Sequence, residues 1–124
     1  MRVSEEIIIT DDLVKKFSDL TGDKNPIHLN DEYAKNTIFG KRIVHGMLIS
    51  SFFSKIISEK YPGPGSIYLN QNLNFKRPCF IGDTIEVVVR LNKQENKKYL
   101  LDTIIYNSSQ EIIIEGSALV LSSE

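Results

Sequence analysis

The chain reads as an α+β protein in which an antiparallel sheet wraps around one long buried helix. Three observations predict this. In the first three turns of a helix over residues 46–60, Met47, Leu48, Ile49, Phe52, Phe53, Ile56 and Ile57 cover most of the circumference, with the small Ser50, Ser51 and Ser54 between them. A helix that is apolar nearly all round must be enclosed, and this one is too short to span a bilayer. The second half alternates apolar and polar residues with period two, the period of a half-buried strand. Seventeen Ile and seven Val against two Ala tilt the composition the same way.

Taken in order, residues 5–10 form a first strand. Thr10 is placed to cap a helix, with Asp11 and Asp12 favourable in its first turn. Leu13, Val14, Phe17 and Leu20 share a face of that helix, and Gly22 ends it. Residues 22–30 are predicted as a loop, because Pro26 disfavours helix at Asn25, and residues 31–35 as one helical turn. After the helix at 46–60, Pro62-Gly63-Pro64-Gly65 breaks the chain. Residues 66–76 are predicted as one strand with Ile67, Leu69, Leu73 and Phe75 on a single face. In the strand 84–92, Ile85, Val87, Val89 and Leu91 share a face. Strands 99–106 and 111–121 flank a turn at Asn107-Ser108-Ser109-Gln110. A sheet of about five long strands coils, and its wrapping of helix 46–60 is the hot-dog architecture. The sheet edges left over call for covering, for which pairing with a second subunit is one remedy.

A length of 124 residues suits one domain, residues 1–124. The formal net charge of -1, from 15 basic and 16 acidic residues, argues against a nucleic-acid partner bound through a basic field. No segment has the apolar length of a membrane span. The first ten residues lack the layout of a signal peptide. The single cysteine, Cys79, forms no internal disulfide, so the expected setting is the cytoplasm.

The loop Thr21-Gly22-Asp23-Lys24-Asn25-Pro26-Ile27-His28 sets a carboxylate and an imidazole on either side of a proline turn. Such a turn can bring both side chains to one water and move its proton, with Asn25 pinning the turn through its amide. The plainer reading is a polar turn with a surface histidine. Gly46 opens the central helix, where a glycine equally serves tight packing. His45, just ahead of that helix, reads as a hydrogen-bonded packing residue, and Ser54 as a small residue allowing close contact. Asp23, His28 and His45 are the conceivable metal ligands, but no spacing typical of a metal site occurs. No Gly-x-Ser-x-Gly elbow is present to activate a serine. No dinucleotide or Walker motif implies a cofactor. Cys79 reads as a buried, inert thiol. Two basic pairs, Lys41-Arg42 and Lys76-Arg77, are either phosphate contacts or solvated surface charge.

Three stretches carry a family resemblance. They are TGDKNPIH with the following residues to Ala34, Ile43-Val44-His45-Gly46-Met47-Leu48 with Ser54, and Ser66 to Lys76 with Pro78, Phe80, Gly82, Asp83 and Thr84. In that order they resemble the R-specific enoyl-CoA hydratases, the hydratase 2 group of the MaoC-like family, over about residues 10–90. The resemblance is strongest to short single-domain enzymes that supply R-3-hydroxyacyl-CoA for polyhydroxyalkanoate synthesis. It implies that Asp23 and His28 are the catalytic pair. It further implies that the Gly46 N–H faces the thioester carbonyl and that Ser54 supports the site. A free N–H at a helix start suits the enolate charge that water addition builds. The resemblance implies an acyl-CoA substrate, no cofactor, no metal and a homodimer. The other activities weighed are an acyl-CoA thioesterase, a 3-hydroxyacyl-carrier-protein dehydratase of the same fold, and a non-enzymatic acyl-CoA-binding module.

Overall fold

The computed structural model describes residues 1–123. Strand β1 (Arg2–Ile8) leads into helix α1 (Asp11–Thr21), then the short helices α2 (Pro26–Leu29) and α3 (Asp31–Lys35), and the central helix α4 (Gly46–Glu59). Strands β2 (Ile67–Gln71), β3 (Asn74–Phe75), β4 (Thr84–Glu95), β5 (Lys98–Tyr106) and β6 (Ile112–Leu121) complete the chain. They make one six-stranded sheet in the order β1-β4-β5-β6-β2, with β3 also on β6. Every pairing is antiparallel. The hot-dog fold is therefore present, with α4 laid against the sheet.

Local chemistry explains the start of the chain. Thr10 Oγ1 accepts the Leu13 N–H at 3.2 Å, and Asp11 and Asp12 sit in the first turn of α1. Gly22 ends the helix in the left-handed region at φ 79°, its N–H donating to the Ser18 carbonyl, a conformation that costs a residue with Cβ. Leu20 departs from the predicted face: it is 84% exposed, because the buried stripe of α1 runs through Val14 and Ser18 instead. The segment 22–30 is not all loop. Pro26 stands at the first position of α2, where its missing N–H costs nothing, and Asn25 caps the turn.

The core lies between α4 and the inner face of the sheet. Ile49, Phe53, Ile56 and Ile57 meet Ile85, Val87, Val89, Leu101, Ile105, Ala118 and Val120. Each such side chain contributes about 1.5–3 kcal/mol on full burial. The far end of α4 is tied to β1 by Lys55 and Lys60, both paired with Glu5.

Two expectations are corrected. Helix α4 is enclosed on one face only. Met47 is 58% exposed, and Ser51, Ser54 and Ser58 lie open along the same side; one sheet curls round one face of a helix and leaves the other open. The stretch 66–76 is two strands rather than one, since the pairing with β6 shifts register between Tyr68 and Asn70 and breaks before Asn74. Ile67, Leu69 and Phe75 are exposed in consequence, while Leu73 is partly buried against the core.

Candidate active site

The turn after α1 is a ladder of side chains capping backbone. The Asp23 N–H donates to Thr21 Oγ1 at 3.1 Å, the Asn25 N–H to Asp23 Oδ1 at 3.3 Å, and the Ile27 N–H to Asn25 Oδ1 at 3.3 Å. Asn25 thus pins the turn as its residue type suggested. The ladder closes one turn of helix, and His28 stands in the last turn of α2. Asp23 remains exposed while His28 is buried, so the pair spans the boundary between solvent and core.

His28 is held from three directions. Its Nδ1 is 2.8 Å from the Ile43 carbonyl. A carbonyl only accepts, so Nδ1 carries the proton and Nε2 presents a lone pair. Arg42 Nε donates to the His28 carbonyl at 2.7 Å. The His45 ring stacks on the His28 ring, with centroids 3.9 Å apart and planes at 27°. One ligand-type atom from each of Asp23, His28 and His45 lies within 4.8 Å of the other two, a span that one water bridges.

His45 is buried as expected. Its Nε2–H donates to the Asp23 carbonyl at 3.2 Å, an oxygen that also accepts from Ser18 Oγ at 2.8 Å. Its Nδ1 has no partner among the described residues. Burial pushes the His45 imidazole pKa down, and the neighbouring His28 acts in the same direction, while the Asp23 carbonyl and charge oppose them. The three conceivable metal ligands do gather here. In each ring one nitrogen donates to a carbonyl, which leaves the other as the acceptor.

Gly46 follows His45 directly and opens α4, whose start has no side-chain cap. It lines a cavity of about 260 Å³ with Phe39, Ile43, Ile49, Phe75 and Arg77. A Cβ on Gly46 would come 2.5 Å from the Phe75 ring, so the glycine there is a matter of room. Ser54 is not joined to the pair within the chain. It lies about 12 Å further along the axis at helical rise, on the open side of α4, with no hydrogen-bond partner among the described residues.

The basic pairs are engaged with the protein itself. Arg42 NH2 bonds Asp11 Oδ1 at 2.6 Å and holds that carboxyl below the usual carboxylate range. Lys76 pairs with Glu115 at 3.8 Å, and Arg77 with Glu111 at 3.3 Å. Lys41 lies over the Phe80 ring at 4.4 Å. Arg42, read from sequence as a phosphate contact or surface charge, is instead a tie between α1 and α2. Ser18 and the Ile43 carbonyl also hold the site, and no local sequence signal marks a serine in α1 or a carbonyl before the helix. Cys79 is buried, and burial raises its thiol to about 12, with the charge of Asp83 adding to the shift.

A hot-dog sheet with an Asp and a His converging beside an uncapped helix start makes an acid–base site of the kind that activates water. The sequence profile of the MaoC-like domain matches residues 1–112, and the chain belongs to that family. It is 41% identical over 106 residues to an (R)-specific enoyl-CoA hydratase of Rhodospirillum rubrum, covering 85% of this chain and 74% of that protein. It is 41% identical over 109 residues to the (R)-specific enoyl-CoA hydratase of Aeromonas caviae, covering 86% and 81%. Among solved structures, the (R)-hydratase from A. caviae involved in PHA biosynthesis superposes with a TM-score of 0.96 at 34% identity, over 98% of this chain and 94% of that one. The unliganded R-hydratase PhaJ1 from Pseudomonas aeruginosa gives 0.95 at 33%, over 100% and 81%.

Proposed function

We propose that the protein is a hydro-lyase that adds water reversibly across the double bond of a trans-2-enoyl-CoA to give the (R)-3-hydroxyacyl-CoA. The observation that carries this is the Asp23–His28 pair: a solvent-facing carboxylate and a buried imidazole with ligand atoms within 4.8 Å of each other, close enough to share one water. The relatives named as (R)-specific hydratases support the same chemistry.

The proposed course uses the pair and the start of α4. Asp23 and His28 hold the water, and one of them, with Asp23 the first choice, takes its proton as the oxygen bonds to C3. The electron pair of the double bond moves to C2 and on to the thioester oxygen, forming an enolate. The Gly46 N–H stabilises that charge, aided by the partial positive charge of the α4 N-terminus. The enolate collapses as C2 takes a proton through the pair, on the same face. This course uses neither metal nor cofactor.

Assembly as a homodimer belongs to this reading. Met47 on the open side of α4 and the exposed Ile67, Leu69 and Phe75 give a second copy apolar side chains to cover, with the small Ser51, Ser54 and Ser58 allowing close approach along the helix. Ser54 stands on that face, so its supporting role is tied to the dimer. The lone buried cysteine fits a cytoplasmic setting, and no helix among the described residues is long and apolar enough to cross a membrane.

Incubation with crotonyl-CoA tests the function. The proposal requires loss of the conjugated enone absorbance with no free thiol, and an R product by chiral analysis. Release of thiol means thioesterase, and no change means a binding module. Running the acyl-carrier-protein thioester in parallel separates the carrier-protein dehydratase, a reading that 40% identity over 115 residues to a tomato 3-hydroxyacyl-carrier-protein dehydratase keeps in play.

A further inference from the structure

His45 is a costly residue for the place it occupies. It is 2% exposed, its Nδ1 is buried without a partner among the described residues, and it makes no side-chain cap at the start of α4. Packing alone would be served better by an apolar side chain, since a buried polar atom left unpaired loses stability. Capping alone would be served by Ser, Thr or Asp. What the imidazole does make are two contacts, one to each member of the pair. Its Nε2–H reaches the Asp23 carbonyl, and its face lies on the His28 ring. Phe17 packs against the same ring in a T-shaped contact, at 4.9 Å between centroids, and holds it in place without touching its nitrogens' chemistry.

We infer that His45 is a positioning residue of the hydration site, a single side chain that sets the distance between Asp23 and His28 by gripping the backbone of one and the ring of the other. The inference rests on the hydratase reading above. The donor to Asp23 is distinct from the Ser18 hydroxyl on the same carbonyl, because only His45 also touches His28. Reacting groups misplaced by about 1 Å lose up to about 100-fold in rate, which makes such a link worth the buried nitrogen.

Two variants divide the contacts. His45→Phe keeps a ring face and loses the donor; His45→Gln keeps a donor amide and loses the ring. With crotonyl-CoA, His45→Phe is expected to lower kcat by about 10–100-fold with KM within about threefold, and His45→Gln to recover part of that loss. In the wild-type protein, long-range imidazole 15N–1H NMR is expected to find His45 protonated at Nε2 and His28 at Nδ1. A wild-type kcat in His45→Phe overturns the inference. So does a fall in both variants that follows loss of melting temperature with no kcat–KM split. Should either variant fail to fold, the NMR decides: a His45 protonated at Nδ1 breaks the link to Asp23 and sinks the proposal. Failure of the wild-type protein to hydrate crotonyl-CoA at all is a failure of the functional reading, which the same spectra tell apart from loss of the His45 link.

Discussion

Arg42 reaches back to the His28 carbonyl, Nε to oxygen at 2.7 Å, while its NH2 grips Asp11. The guanidinium is nearly buried, at 11% side-chain exposure, and fastens the turn that carries His28 to helix α1. Removing the side chain as Arg42→Met leaves a carbonyl unpaired, at a cost of about 1–3 kcal/mol. Turnover is expected to fall with stability, and Arg42→Lys is expected to recover little because a point charge does not reproduce the fork. Melting temperature and kcat measured on both variants check this; full recovery by lysine contradicts it.

The pair itself is the sharper test. Asp23→Asn and His28→Gln are each expected to reduce kcat by about 10²–10⁴-fold with the fold intact, the range for general acid–base groups. Asp23→Asn keeps an oxygen for the Asn25 N–H, so the turn survives. Circular dichroism and crotonyl-CoA hydration, run together, separate a chemical loss from a structural one.

Gly46→Ala drives a methyl to within 2.5 Å of the Phe75 ring. Phe75 is 55% exposed and can move, so the variant folds but loses activity as the ring and the methyl crowd the N–H. Gly46→Ala/Phe75→Ala is expected to regain part of that loss. The double-mutant cycle on kcat/KM measures it, and strict additivity rejects a steric link between the two.

Within α4, Phe53 is fully buried and Phe52 only in part. Phe53→Asp buries an unpaired carboxylate at a cost of several kcal/mol, against a total stability of about 5–15 kcal/mol. Loss of soluble, folded protein is expected for Phe53→Asp and a milder effect for Phe52→Asp, read by expression and thermal melting. A folded Phe53→Asp variant means the helix is not enclosed against the sheet.

Stability is expected to decline in mild acid through His45. Its folded pKa lies below the ordinary 6.5, chiefly through burial, so between those values the unfolded chain binds a proton that the folded one refuses. The stabilisation is fully present above pH 6.5 and is lost as pH falls toward the folded pKa. The groups facing His45 are His28, which opposes its protonation, and Asp23, which favours it. Melting curves from pH 7.5 to 5 should show a slope in the wild-type protein that His45→Phe flattens; equal slopes contradict it.

Much of this was legible in the order of residues. The Thr10 cap, the Gly22 stop, the Asn25–Pro26 turn and the period-two strands are governed by neighbours within a few positions, and each stands where local chemistry puts it. The Asp23–His28 pair was legible for the same reason: one proline turn joins its halves. The role of Arg42 was not, because its partners Asp11 and His28 lie 31 and 14 residues away, and nothing in a local pattern ranks a guanidinium tie above a solvated charge.

The open face of α4 marks the same divide. The apolar run from Met47 to Ile57 dictates a helix that needs cover, since burying that surface is favourable wherever the cover comes from. Which residues the sheet reaches is a matter of curvature: it encloses Phe53 and leaves Met47 outside. Likewise the period of residues 66–76 calls for strand, but where it breaks is settled by the register shift against β6. Short-range sterics and hydrophobic period made the elements and the turn that carries Asp23 and His28. Long-range packing chose the faces, turned Arg42 inward, and stacked His45 on His28.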